Sequence, residues 1–141
     1  MNNTKLFVAG KAFIEYKGKI LVLRESNKYG PGTNAGQYDV PGGRIRPDEK
    51  FFDALKREIT EEVGVKVKIG SPFYVGEWFP KPNGEKWHVV GVFFQCVASS
   101  DKVKLSKDHD DYRWVDPKNL GKIKLIDNLK LAFKEYLQCK K

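Results

Sequence analysis

GRIRPDEKFFDALKREITEEVGV, residues 43–65, holds the clearest helix in the sequence. Phe51, Leu55, Ile59 and Val63 recur at spacings of four, with Phe52 beside them, which lines up one apolar stripe at the helical period. Pro47-Asp48-Glu49 supplies a proline and two acids where a helix N-terminus favours them, and Gly64 can close the last turn in the left-handed conformation. The polar side is the unusual part. Glu58, Glu61 and Glu62 stand at i, i+3 and i+4, and at ~100° per residue all three fall on one face. Solvated and uncompensated, each such pair costs a few tenths of a kcal/mol. Hard divalent cations such as Mg²⁺ are held by oxygen clusters of this kind, although three acids alone more often mark a solvated helix face.

Outward from this helix the chain alternates short apolar runs with turns. Leu6–Tyr16 and Lys19–Arg24 read as two strands joined by the hairpin turn Tyr16-Lys17-Gly18-Lys19. Residues 26–37 are rich in Gly, Pro, Ser and Asn and read as a loop. After the helix, Val65–Ile69, Phe73–Phe79 and His88–Ala98 read as strands, the last two separated by Pro80-Lys81-Pro82-Asn83-Gly84 with its Asn-Gly hairpin signal. Leu105–Asp111 is polar, Tyr112–Val115 a short strand, and Leu125, Leu129, Phe133 and Leu137 mark a second amphipathic helix over 125–137. Strands on both sides of a central helix, followed by a terminal helix, predict a sheet covered on both faces.

At 141 residues the chain is expected to form one domain over 1–141, large enough to bury a core without disulfide or metal staples. With 40% apolar and 31% charged residues, composition excludes a disordered chain, a collagen-like repeat and a disulfide scaffold. No run approaches the ~18 apolar residues of a membrane span, and the opening MNNTKLFVAGK lacks the features of a secretory signal, so no membrane association and a cytoplasmic location are expected. The net charge of +8 favours anionic ligands, yet 21 of the 26 basic residues are dispersed lysines. That pattern suits a solubility coat, and nucleic acid is not expected as a partner. Cys96 lies in an apolar run and reads as a buried reduced thiol; neither it nor Cys139 has metal-ligand spacing.

From Gly43 the chain shows Gly, five residues, Glu49, seven residues, then Arg57-Glu58-Ile59-Thr60-Glu61-Glu62-Val63-Gly64-Val65. This resembles the Nudix box, G-x5-E-x7-R-E-U-x-E-E-x-G-U with U apolar, at every specified position. Seven fixed residues at ~7% usage each give a chance probability on the order of 10⁻⁸ per start. Tyr38-Asp39-Val40-Pro41-Gly42 also resembles the lead-in to the box, and Lys50, where many members carry a small hydroxyl residue, departs from it. The resemblance implies an α/β Nudix fold, a mixed β-sheet sandwiched between helices (α/β/α). It implies hydrolysis of a nucleoside diphosphate linked to another moiety: water attacks a phosphorus while Mg²⁺, or Mn²⁺, neutralises developing charge. (d)NTPs, damaged ones included, are the expected substrates. ADP-ribose or a nucleotide sugar is the alternative, as is a regulator that binds nucleotide or RNA without turnover. Either a monomer or a homodimer is compatible.

By resemblance, Glu58 and Glu62 match the metal-binding glutamates, and Glu61 a third ligand or the group that activates water. The Gly42 carbonyl matches the backbone metal ligand, with Gly42 and Gly43 allowing close backbone approach. Arg57 and Glu49 match a structural pair that orients the glutamates, and Gly64 the glycine that closes the box. Arg24 stands where several members carry a phosphate-contacting cation. A late-loop carboxylate is expected among Asp108, Asp110 and Asp111, with Asp111 favoured as a catalytic group, although a base can equally come from within the helix. Phe79 and Trp87 flank the 80–86 loop and are the candidates for stacking on a nucleobase. Pro80 lies where a proline recurs in the ADP-ribose pyrophosphatase subgroup.

Overall fold

The computed structural model describes residues 3–26 and 36–140. Most of the expected 26–37 loop therefore lies outside the described residues. The elements are β1 (Lys5–Tyr16), β2 (Lys19–Glu25), β3 (Tyr38–Asp39), β4 (Gly42–Arg44), α1 (Phe51–Val63), β5 (Val67–Trp78), β6 (Trp87–Ala98), β7 (His109–Val115) and α2 (Leu129–Cys139). The sheet runs β3-β2-β1-β6-β5, with β4 also pairing β1 and β7 pairing β2. It is mixed: β1 and β6 run parallel from Lys5↔Trp87 to Glu15↔Val97, and the other pairings between these strands are antiparallel.

Strict alternation in the central strands builds a core on each face. Ala12, Ile14, Leu21, Leu23, Phe94 and Cys96 pack toward Leu55, Ile59 and Val63 of α1. Phe13, Ile20, Val22 and Phe93 point the other way, onto Leu129, Phe133 and Tyr136 of α2. Neighbouring residues of β1 and β2 are fully buried on opposite sides, which explains why these strands read as continuous apolar runs. The expected α/β/α sandwich is what forms. Cys96 is buried and free, and burial pushes its thiol up to about 12, the behaviour of an inert reduced cysteine. Among the described residues no helix is long and apolar enough to cross a membrane.

Several boundaries differ from the sequence reading. Helix α1 begins at Phe51 after an extended Lys50 with no side-chain cap, so Pro47-Asp48-Glu49 precedes the helix. Asp48 there takes a left-handed turn (φ 65°), and Glu49 is drawn to Arg57 instead of capping the helix. Gly64 does close α1 at φ 69°, its N–H donating to the Thr60 carbonyl at 3.2 Å. The runs expected as two strands over 65–79 form one edge strand, β5, because Gly70-Ser71-Pro72 is absorbed as bulges, which an edge tolerates. Strand β7 extends back to His109, which places Asp111 on a strand and not in a loop. Leu125 lies before α2 and instead pairs with Tyr38 in an isolated bridge.

Candidate functional site

The amino end of the Gly42–Arg44 strand and the polar face of α1 meet because β1 has two glycine-permitted neighbours. Gly42 pairs with Lys11 at φ 132°, and a Cβ there would lie 2.1 Å from the Gly10 carbonyl oxygen. Only glycine fits. Its N–H donates to Glu62 Oε1 at 2.9 Å, fixing that carboxyl beneath the strand. At Gly43 a Cβ would stand 3.0 Å from the Glu58 carboxyl group, so the missing side chain is what gives Glu58 its room. Gly42→Ala is expected to cost at least ~3 kcal/mol through backbone strain and lost β1–β4 pairing. Gly18→Ala also sits at positive φ, but with nothing within 4 Å, and should cost only ~1 kcal/mol. Thermal melting of the two variants measures the difference.

Arg57 organises the remaining carboxylates. Its Nε and Nη2 donate to the two Glu49 oxygens at 2.7 and 2.9 Å, a bidentate pair. Its Nη1 donates to Glu58 Oε1 at 3.1 Å and lies 3.5 Å from Glu61 Oε2. Hydrogen bonding to Arg57 holds the Glu49 carboxyl down at about 2, and Glu49 in turn raises the Arg57 guanidinium, which stays charged. Arg57 thus touches Glu49 on one side and Glu58 and Glu61 on the other, the arrangement an orienting pair requires.

Glu62 is the least exposed carboxyl of the set, its side chain 14% exposed. Desolvation pushes its carboxyl up to about 8, with the Glu58 and Asp39 charges adding to the rise and Lys11 and the Gly42 N–H opposing it. His109 Nε2 lies 3.6 Å from Glu62 Oε2, too long for a hydrogen bond, and burial lowers the His109 pKa so that a neutral imidazole faces the carboxyl. Its Nδ1 is buried without a hydrogen-bond partner.

Do these residues fit a divalent cation? The donors are hard oxygens, two of them on side chains flanking a stretch of backbone that only glycine can form, and Glu62 is a largely enclosed carboxyl with no basic side chain among the described residues hydrogen-bonded to it. Among the described residues no three acidic, His or Cys side chains converge closely enough to enclose an ion as they stand. Glu58 is turned onto Arg57, Glu62 onto the Gly42 N–H, and Glu61 is 55% exposed. The donor chemistry fits; the metal-free rotamers answer to Arg57 and Gly42.

Beside Glu62 opens a cavity of about 520 Å³. Lys11, Asp39 and His109 line it with Glu62, and Trp78 and Trp87 form apolar wall. A larger groove of about 1080 Å³, around Phe52 and Val97, has lysines at its rim and no acidic residue, so it is remote from this chemistry.

The structure sorts the sequence-derived candidates. It brings Gly42, Gly43, Glu58, Glu62, Arg57 and Glu49 together, with Glu61 at the exposed side. Trp87 lines the cavity, but the Arg44 guanidinium lies 4.3 Å from its ring centroid and its Nε1 donates to Glu85 at 2.5 Å. Phe79 is 63% exposed and stacks on His88 at 4.5 Å, outside the cavity lining. Arg24 pairs with Asp110 at 2.6 Å, opposite Asp111 across β2–β7. Asp111 accepts from the Tyr38 hydroxyl and lies 3.5 Å from Arg113 Nε; its carboxyl, held low by the Tyr38 bond, is committed there and does not line the cavity. From that segment Asp108 and His109 reach the cavity instead. Sequence reasoning passed over Lys11, Asp39, His109 and Trp78. A lysine inside an otherwise apolar strand, and one of only two histidines, were the available signals.

Comparison with known proteins gives a consistent result. A family model described as the NUDIX domain matches residues 8–137. Nucleoside triphosphatase NudI of Escherichia coli K12 is 29% identical over 96 residues, covering 63% of this chain and 68% of that protein. The crystal structure of a MutT protein from Methanosarcina mazei Go1 superposes with a TM-score of 0.82 at 30% identity, covering 100% of this chain and 99% of the other. An ADP-ribose pyrophosphatase from Streptococcus suis shares the fold, with a TM-score of 0.66 at 17% identity over 94% of this chain and 88% of its own.

Proposed function

Because the chain belongs to the NUDIX family, and is a hydrolase of phosphoric anhydride bonds, we propose that it cleaves nucleoside triphosphates to the monophosphate and pyrophosphate with Mg²⁺. The observation that carries this reading is the placement of Glu58 and Glu62 on either side of Gly42–Gly43, with Glu62 and both glycines lining a cavity of about 520 Å³ that Trp78 and Trp87 wall in part. The nucleoside triphosphatase activity in the name of the Escherichia coli relative supports the substrate class.

Glu58, Glu62 and the Gly42 carbonyl would hold the cation, with Glu61 as a further ligand or as the group that takes a proton from water. When bound, the cation supplies Lewis-acid neutralisation of charge on the phosphate oxygens. The protein's own groups do the rest. Arg57, braced by Glu49, holds Glu58 and Glu61 beside one another on the polar face of α1. Trp78 and Trp87 offer faces for a base, a contact worth ~1–3 kcal/mol that discriminates little among bases. Lys11 and Asp39, a part-buried polar pair of the cavity, already satisfy one another at 3.0 Å, so a mismatched base leaves neither unpaired.

Broad nucleotide use follows. The test is a panel of canonical and oxidised (d)NTPs, ADP-ribose, nucleotide sugars and dinucleoside polyphosphates, each with Mg²⁺ and with Mn²⁺. Triphosphates are expected to lead, with kcat/KM values spread over less than ~10³. A preference of ~10⁴ or more for one compound overturns the broad-use reading, because that ratio needs buried polar groups left unpaired by the competitors. Turnover led by ADP-ribose favours the second reading, for which the placement of Pro80 in the cavity wall is the specific support. Absence of turnover with either metal favours a nucleotide-binding regulator.

A further inference from the structure

Lys11 is the one buried lysine among the described residues, 7% exposed in the middle of β1. It faces Gly42 across the β1–β4 register, and its Nζ lies 3.0 Å from Asp39 Oδ2. Asp39 is itself fixed, its Oδ1 accepting from the Val40 N–H at 2.7 Å. Both side chains line the cavity that Glu62 and Gly42 also line. An ion pair with its lysine buried and its aspartate half-buried is an expensive way to fill a strand position, since well-packed apolar residues of similar volume are often as stable or more so. A fixed cation beside the carboxylates assigned to a divalent cation also opposes that cation. Stability therefore does not account for Lys11.

We propose that the Lys11–Asp39 pair sets the affinity of the site for its divalent cation, Lys11 weakening it and Asp39 strengthening it. The inference rests on the metal-dependent reading above. A unit charge within ~10 Å of a divalent ion in a partly buried site changes that ion's affinity by roughly tenfold or more. The two halves of the pair act with opposite sign, and intact they nearly cancel. The other charged groups lining this cavity are the acids Glu25, Glu62 and Asp108 and the Arg44 guanidinium, which lies over Trp87, beside the neutral His109; of the two cations besides the acids, Lys11 is the buried one.

The test is Mn²⁺ titration of the metal-stripped protein, with free Mn²⁺ read by its paramagnetic resonance signal and no substrate present. Lys11→Met is expected to tighten Mn²⁺ binding by roughly tenfold, Asp39→Asn to weaken it, and the double variant to return within about threefold of the parent. Lys11→Arg keeps the charge and should leave the affinity nearly unmoved. Thermal melting of each stripped protein verifies folding; a purely structural pair would give losses of the same sign in both single variants, which overturns the proposal. Unchanged Mn²⁺ affinity in Lys11→Met, with weaker binding of metal-free nucleotide, also overturns it and makes Lys11 a phosphate contact. A parent protein that binds no Mn²⁺ defeats the metal-dependent reading itself, whereas a parent that binds and a Lys11→Met protein that does not tighten defeats this inference alone.

Discussion

Glu58→Gln and Glu62→Gln are each expected to fold and to turn over nucleotide roughly 10³–10⁵-fold more slowly, with the loss in kcat. Glutamine keeps the shape of the side chain and one carbonyl oxygen, so the space above Gly43 stays filled and the Gly42 N–H keeps an acceptor. What it removes is a negative charge where a divalent cation would sit against developing phosphate charge, an interaction strongest in the transition state. Substrate binding through the cavity walls is untouched, so KM should move far less than kcat. Steady-state kinetics and thermal melting separate the outcomes. A variant with near-normal turnover sinks the metal role of that glutamate, and one that fails to fold in the metal-free state points to a structural role. Arg57→Met should show a milder loss, ~10²-fold, because Glu58 and Glu61 remain but lose the contact that orients them.

What was legible in the sequence is what depends on spacing along the chain. The α1 stripe, the Gly64 stop, the Tyr16–Lys19 turn and the apolar runs of β1, β2 and β6 are local patterns, and each appears in the fold. The clustering of Glu58 and Glu62 with Gly42 and Gly43 follows from a motif whose residues lie within one turn-and-helix unit. What was not legible depends on contacts between distant segments. Strand β7 starts three residues earlier than its apolar pattern because Arg24 and Glu25 of β2 pair with Asp111 and His109, a partner that the local polarity of that stretch does not reveal. That pairing gives Asp111 to Tyr38, eliminating it from the cavity, and brings His109 to Glu62. Likewise, whether Trp78 or Phe79 faces the cavity is decided by strand parity, and the bulges in β5 make parity uncountable from the sequence. In the sequence Lys11 is one more residue of a strand; its burial requires Asp39, twenty-eight residues away, to be beside it.

Metal-free protein is expected to lose stability as pH rises from about 4.5 to about 8, and Glu62 is the cause. Its carboxyl has an ordinary value near 4.5 in the unfolded chain and is pushed up to about 8 by burial in the folded one. Between those values the folded protein keeps a proton that the unfolded chain has released, so stability falls by at most ~1.4 kcal/mol per pH unit. Below about 4.5 both states are protonated and the stabilisation is complete; above about 8 it is gone. Across the window the loss is on the order of a few kcal/mol, reduced by relaxation around the site. His109 acts in the opposite sense below neutrality, because its lowered pKa makes the unfolded chain the better proton acceptor there. The measurement is therefore a difference: denaturant unfolding of metal-stripped parent and Glu62→Gln proteins at pH 5, 7 and 9. The glutamine protein should lack the decline and be the more stable of the two at pH 9. A divalent cation added to the parent should remove the decline as well, since it replaces the proton on Glu62, and its apparent affinity should rise with pH over the same window. Parallel curves for parent and variant would mean that Glu62 is ionised in the metal-free fold, its charge already met by Lys11 and the Gly42 N–H.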